Sequence, residues 1–166
     1  MGNGSTSTGI AEAPQAQPGR VPVDFDADAT LLVDLLKLAT FIGAPMRESV
    51  AEPLGLTPTD LRVILALGGE GELAGHDLSE IMGVPPMNVS RALASLLDRG
   101  LVEPGADPAN RRRKPFRLTE HGADIFRHTA PALAKVGASL FGGMPDDDRA
   151  AFHRAAQAVL AKLTGR

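Results

Sequence analysis

The sequence predicts a mainly α-helical fold: a winged helix-turn-helix with a small β-hairpin wing, flanked by long helices near both ends of the chain. Three observations carry that expectation. The stretch HDLSEIMGVPPMNVSRALASLLDRG holds two apolar stripes at helical spacing, with a glycine and two prolines between them. Two short apolar runs then flank a turn-rich loop bearing Arg111, Arg112, Arg113 and Lys114 in a row. Outside this central block, 57–122, apolar residues recur at helical spacing through both 24–53 and 123–166.

Composition sets the frame. A length of 166 residues suits one domain, taken as 24–166, behind a tail at 1–23. The tail is rich in Gly, Ser, Thr, Ala, Gln and Pro; it buries too little to offset its ordering entropy and is expected to be disordered. It has neither a basic start nor an apolar core, which argues against a secretory leader. No run approaches about 18 apolar residues, so no membrane span is expected and the chain reads as cytoplasmic. The sequence has no cysteine. That excludes a disulfide framework, a thiolate zinc site and a thiol redox switch.

In chain order, Asp26 or Asp28 can cap a first helix, where Leu31, Leu35, Leu38 and Ile42 form a stripe widened by Leu32, Leu36 and Ala39. That is more apolar surface than the edge of a small domain requires, and it points to an oligomer interface. Gly43-Ala44-Pro45 is expected to bend or break this helix, because proline lacks the donor and crowds the preceding turn. Met46 to Pro53 then forms a second helical piece. Thr57-Pro58-Thr59-Asp60 is a strong helix start; Leu61, Ile64 and Leu65 face the core, and Gly68-Gly69 ends the helix. Leu73-Ala74 can supply a minimal third strand.

In the helix-turn-helix, Leu78, Ile81 and Met82 line one helix, which Gly83 stops by taking the left-handed conformation. Pro85-Pro86 opens the second helix, since a proline in the first turn loses no bond the helix needed. Val89, Leu93, Leu96 and Leu97 form its core face; Asn88, Ser90, Arg91, Ala94 and Ser95 lie on or near the other. Gly100 ends it, and Leu101-Val102-Glu103 pairs with Phe116-Arg117-Leu118 as the wing. Thr119 caps the next helix, which carries Ala123, Phe126, Ala130, Leu133, Val136 and Leu140, with a kink or local adjustment at Pro131. Gly142-Gly143 breaks it. Asp146, Asp147 and Asp148 open the last helix, where the dipole accounts for acids better than a metal site does. Phe152, Ala155, Ala156, Val159, Leu160 and Leu163 line its apolar face.

A net charge of −3 argues at first sight against a nucleic-acid partner, but its distribution argues for one. Residues 1–60 hold 8 acids and 3 bases, and 61–82 hold 4 and 1. Residues 83–127 hold 8 bases, Arg91, Arg99, Arg111, Arg112, Arg113, Lys114, Arg117 and Arg127, against 5 acids. A local patch matters more than the sum. The second helix of a helix-turn-helix is the one that enters the major groove. On it, Pro86, Met87, Asn88, Ser90 and Arg91 are the expected contacts with double-stranded DNA. Asparagine can bond adenine through two atoms and arginine can do the same to guanine, or Arg91 can hold a phosphate instead. Arg111, Arg112, Arg113 and Lys114 suit the negative potential of a narrow minor groove.

The chain resembles the MarR family of bacterial transcriptional regulators. The resemblance rests on Leu-Thr-Pro at 56–58, Asn-Val-Ser-Arg at 88–91, Asp-Arg-Gly-Leu-Val at 98–102, and a wing that closes with Arg-Leu-Thr-Glu-His-Gly at 117–122. It spans roughly 31–163. It implies a homodimer whose terminal helices interleave, reading DNA as a repressor of a palindromic operator. It also implies release by a small, often aromatic or phenolic, effector in a cleft between the dimer helices and the reading head. That cleft would draw on Phe41, Met46, Arg47, Leu61, Arg62, Ile64 and His121. One departure stands out: where the family carries an aspartate two residues before the wing arginine Arg112, this chain has Asn110, with Asp107 a possible substitute. Asn110 cannot form the charge-assisted pair a carboxylate makes with guanidinium.

An enzyme is not expected. His76, His121, His128 and His153 are scattered, no catalytic motif or phosphate loop is present, and no cofactor, metal or catalytic residue is assigned. The alternative is a winged-helix adaptor whose arginine run faces an acidic protein.

Overall fold

The computed structural model describes residues 21, 23–106 and 114–165. The tail expected to be disordered lies almost wholly outside them, as do Asp107, Asn110, Arg111, Arg112 and Arg113. Backbone packing divides the chain into two units, Met1–Lys37 and Leu38–Arg166.

The described part of the first unit is mainly the opening of helix α1 (Ala27–Met46). Asp26 caps it, its Oδ1 accepting from the Ala29 N–H at 2.7 Å. Leu31, Leu32, Leu35 and Leu36 are all exposed.

In the second unit α1 continues through Pro45, where the sequence suggested a bend or break. The change comes one residue later. Arg47–Ala51 winds as a π turn and Glu52–Leu54 as a 3-10 turn, closed by Gly55 in the left-handed conformation at φ 63°. The run Ala27–Leu54 is also long and apolar enough, by length and composition, to cross a membrane, although no span was expected. Asp34 and Lys37 interrupt a count of consecutive apolar residues without lowering the average far. At mid-bilayer each such charge costs about 2.5–3.5 kcal/mol. Here they pair across one turn at 3.4 Å on an exposed face.

Helix α2 (Pro58–Glu70) is the element on which the core is built. Thr57 caps it: the Thr57 hydroxyl accepts from Asp60 N–H and the Asp60 carboxylate accepts from Thr57 N–H, each at 3.1 Å. Asp60 is 2% exposed, and these bonds are what let a carboxylate sit there. Asp60→Ala is expected to lower stability by about 1–2 kcal/mol. The urea midpoint of unfolding checks this; an unchanged midpoint would remove the cap from the account. Leu61 and Ile64 are buried as expected, and so are Val63 and Leu67, because α2 packs on several elements and not along one stripe. Gly68-Gly69 does not end it. Both glycines lie inside α2, which stops at Gly71 (φ 89°). At Gly68 the requirement is space: a Cβ there would overlap the Phe126 ring.

Strand β1 (Leu73–Ala74) leads into α3 (Gly75–Met82), and α4 (Pro86–Asp98) follows across a turn with Gly83 at φ 60°. Asp77 Oδ2 accepts from Ala74 N–H at 2.8 Å, and the Ser79 hydroxyl donates to the Val84 carbonyl at 2.6 Å. Val89, Leu93 and Leu96 are buried with Ala92. Leu97, expected on the core face, is 38% exposed, because it lies about 100° round the helix from Leu96.

Strands β2 (Val102–Pro104) and β3 (Pro115–Leu118) pair antiparallel, Val102 opposite Leu118 and Glu103 opposite Arg117. β1 joins the far edge of β3, giving the order β1-β3-β2, so the suggested third strand is present. Helix α5 (Glu120–Phe141) runs through Pro131, capped by Thr119. Ala130 and Leu140 are exposed where the helical spacing predicted an apolar stripe, and Thr129 is buried, its hydroxyl donating to the Phe126 carbonyl at 2.7 Å. Helix α6 (Asp146–Thr164) buries no residue; Phe152, Val159, Leu160 and Leu163 are all exposed. Asp146, on its first turn, pairs with Arg149 at 3.3 Å.

Candidate nucleic-acid interface

Helix α4 owes its outer face to the binary pattern of its sequence. Once Val89, Ala92, Leu93 and Leu96 turn inward, Pro86, Met87, Asn88, Ser90 and Arg91 are left facing outward, and all five are exposed. Met87 is 64% exposed. Asn88, Arg91 and Ser95 line one wall of an open groove of about 210 Å³, and Thr57, Thr59 and Asp60 at the start of α2 line the other. Asp60 is engaged in its cap. Arg91 forms no ion pair among the described residues, so the pairing with a neighbouring acid that would have explained it away is absent there.

The wing stem is rigidly tied. Arg117 Nε donates to Glu103 at 2.8 Å across the β2–β3 pair, and its Nη1 lies 3.5 Å from Glu72. The hydrogen bond to Glu103 is the main reason its proton is held even more firmly than usual. The ladder continues outward through Gly105 N–H to the Pro115 carbonyl at 2.8 Å. Lys114, next to the tip, is exposed. Arg111, Arg112 and Arg113, which the sequence expects at the wing tip, fall outside the described residues.

The charge count of 83–127 therefore overstates the free positive patch. Arg117 is held by Glu103 and Glu72, and Arg127 by Glu120 and Asp124. Arg99 donates to the carbonyls of Gly55 and Leu54. Among the described cations of that stretch, Arg91 and Lys114 remain open.

A second concavity, of about 310 Å³, lies within the second unit. Met46, Arg47, Leu61 and Arg62 line it, as the resemblance implied, together with Ala39, Ile42, Gly43, Ala51, Pro58 and Leu65. The other three expected residues do not. Phe41 is 76% exposed on a different face of α1 from the stripe of Ala39, Ile42 and Met46. Ile64 is wholly buried in the core, and His121 stands exposed on the first turn of α5. The small and apolar lining residues that were missed carry no chemical signal in a sequence. Arg47 is already paired with Glu48 at 2.8 Å and Glu52 at 3.3 Å, whereas Arg62 has no ion pair among the described residues.

Residues 54–113, the helix-turn-helix and the outgoing wing, match the MarR family model. Over that stretch the chain is similar to the MarR family. An HTH-type transcriptional regulator of Mycobacterium tuberculosis is 26% identical over 82% of this chain and 94% of its own. Among solved structures, BpsR of Bordetella bronchiseptica, whose DNA binding is regulated by 6-hydroxynicotinic acid, superposes with a TM-score of 0.65. It is 23% identical, covering 78% of this chain and 98% of its own. CouR of Rhodococcus jostii RHA1, bound to p-coumaroyl-CoA, reaches 0.68 at 22% identity, covering 81% and 92%. At these identities the two likenesses carry the fold. The fold is a winged helix, and the sequence relative is an HTH-type transcriptional regulator.

Proposed function

We propose that the chain works as a homodimeric repressor that reads a palindromic operator and lets go when a small anionic, aromatic ligand enters the pocket of Met46, Arg47, Leu61 and Arg62. The observation that carries the DNA-reading part is the outward face of α4, where Asn88 and Arg91, which has no ion pair among the described residues, share an open groove with the start of α2. Each can reach two atoms of one base edge. Pro86 and Met87 can add contact with a thymine methyl, and Ser90 a further hydrogen bond. Lys114 and the tip arginines Arg111, Arg112 and Arg113 follow the adjoining backbone or minor groove.

Dimerisation rests on α1 and α6. These helices of 20 and 19 residues bury nothing of their own, and helices in water are held chiefly by packing. A second copy covering Leu31, Leu35, Phe152 and Leu160 would supply it. Ligand response rests on the pocket's composition: apolar walls together with Arg62, which has no ion pair among the described residues, suit an aromatic ring bearing a carboxylate. BpsR and CouR respond to or bind aromatic acid derivatives, which supports the class without naming the compound.

Selection of bound DNA from a random pool tests this reading. Two-fold symmetric sequences with half-sites about one helical turn apart are the expected product. A single asymmetric motif would sink the dimer. Failure to enrich any sequence, with retained affinity for an acidic protein, would favour the adaptor alternative.

A further inference from the structure

Arg99 is the C-cap residue just past the reading helix α4, and its side chain does not line the groove. It reaches back to residues 44 and 45 positions earlier: Nη1 donates to the Gly55 carbonyl at 2.9 Å and Nη2 to the Leu54 carbonyl at 3.4 Å. Those carbonyls end the 3-10 turn Glu52–Leu54, where a helix terminus has acceptors without intrahelical donors, and a cation there is doubly favoured. The same segment leads directly into the pocket wall. Ala51 lines the pocket and its carbonyl accepts from Leu56 N–H at 2.9 Å; Arg47, at the other end of the π turn, lines it too. The Arg47–Glu52 ion pair spans five residues, the repeat of a π turn, and so brackets it.

We propose that Arg99 is a positioning residue that ties the C-terminal end of the reading helix to the wall of the ligand pocket. The inference rests on the proposed function, because it names how that pocket reaches that helix. An anion drawn to Arg47 competes with Glu52 for the guanidinium and unbrackets the π turn. The Leu54 and Gly55 carbonyls then shift, and the end of α4 shifts with them. The clasp works equally in reverse, because coupling between two sites is reciprocal: DNA that fixes α4 also steadies residues 47–52. A planar fork with two parallel donors suits two adjacent carbonyls; a lysine ammonium on a flexible stem does not reproduce it.

Reciprocity makes the test independent of knowing the ligand. Amide hydrogen exchange is followed on the full chain, alone and saturated with a mixed-sequence DNA duplex at low salt. In the native chain the duplex is expected to slow exchange in α4 and, about fivefold or more, at residues 47–52. In Arg99→Ala the slowing persists in α4 and disappears from 47–52; Arg99→Lys, which keeps the charge, behaves like the alanine variant. Protection of α4 without protection of 47–52 in the native chain would overturn the coupling and leave the DNA-reading surface standing. Undiminished remote protection in either variant would overturn it as well. No protection anywhere would remove the DNA reading first and the coupling with it.

Discussion

Gly122→Ala is expected to unfold the wing from the helix behind it and to lower the melting temperature by about 10 °C, corresponding to roughly 3 kcal/mol. The sequence around it, Leu-Thr-Glu-His-Gly, looks like an ordinary capped helix start. The structure adds a second demand. The Leu101 carbonyl accepts from Thr119 N–H at 3.1 Å, and the Thr119 hydroxyl donates to the Gly100 carbonyl at 2.7 Å while accepting from Gly122 N–H at 3.0 Å. These bonds draw the first turn of α5 onto the backbone that leaves α4. A Cβ on Gly122 would overlap the Leu101 carbonyl, and the obstacle is backbone, which cannot rotate away as a side chain would. Gly69→Ala is the internal control. That glycine also lies inside a helix, but a Cβ there meets nothing within 4 Å, so the change should stabilise by about 0.5–1 kcal/mol. A scanning thermal melt of both variants decides the matter: if Gly122→Ala melts within about 2 °C of the parent, the close approach is not what requires glycine here.

Features that act on their own few residues were legible in the sequence, and those that depend on distant partners were not. Gly83, Pro85-Pro86, Gly100, Thr57 and Thr119 were legible because each acts on its own few residues: a left-handed stop, a first-turn proline, a side-chain cap. Gly68 was misread for the same reason. A glycine pair looks alike whether it ends a helix or admits a neighbour's aromatic ring, and Phe126 lies 58 positions further on. The cations divide in the same way. Arg99, Arg117 and Arg127 looked like part of one basic patch, yet each is taken up by partners that folding brings near. Of the ligand pocket, the charged residues Arg47 and Arg62 were legible, and Ala51, Pro58 and Leu65 were not, because their role comes only from position.

Arg112→Ala is expected to weaken DNA binding more than about tenfold and to flatten its salt dependence, while Asn88→Ala should do neither in the same way. The two residues stand for different kinds of contact. Arg112 is expected from the sequence at the wing tip, where an arginine meets phosphate or the minor groove, so its loss should remove about one released counterion and weaken all sequences alike. Asn88 faces outward from the first turn of α4; its loss should relax preference at one base position by about 1–3 kcal/mol and leave the salt slope intact. Arg91 discriminates between the two modes. If it reads guanine, Arg91→Ala follows the Asn88 pattern; if it holds phosphate, the slope falls by about 1. Gel-shift titrations of the three variants at several salt concentrations, on an operator and on a scrambled duplex, separate these outcomes. Unchanged affinity for Arg112→Ala would refute the wing assignment. Where the family carries a wing aspartate this sequence has Asn110, whose amide cannot form the charge-assisted pair a carboxylate makes with guanidinium. Restoring it with Asn110→Asp should then tighten binding, unless Asp107 already fills that role, in which case the two acids would repel and the gain would vanish.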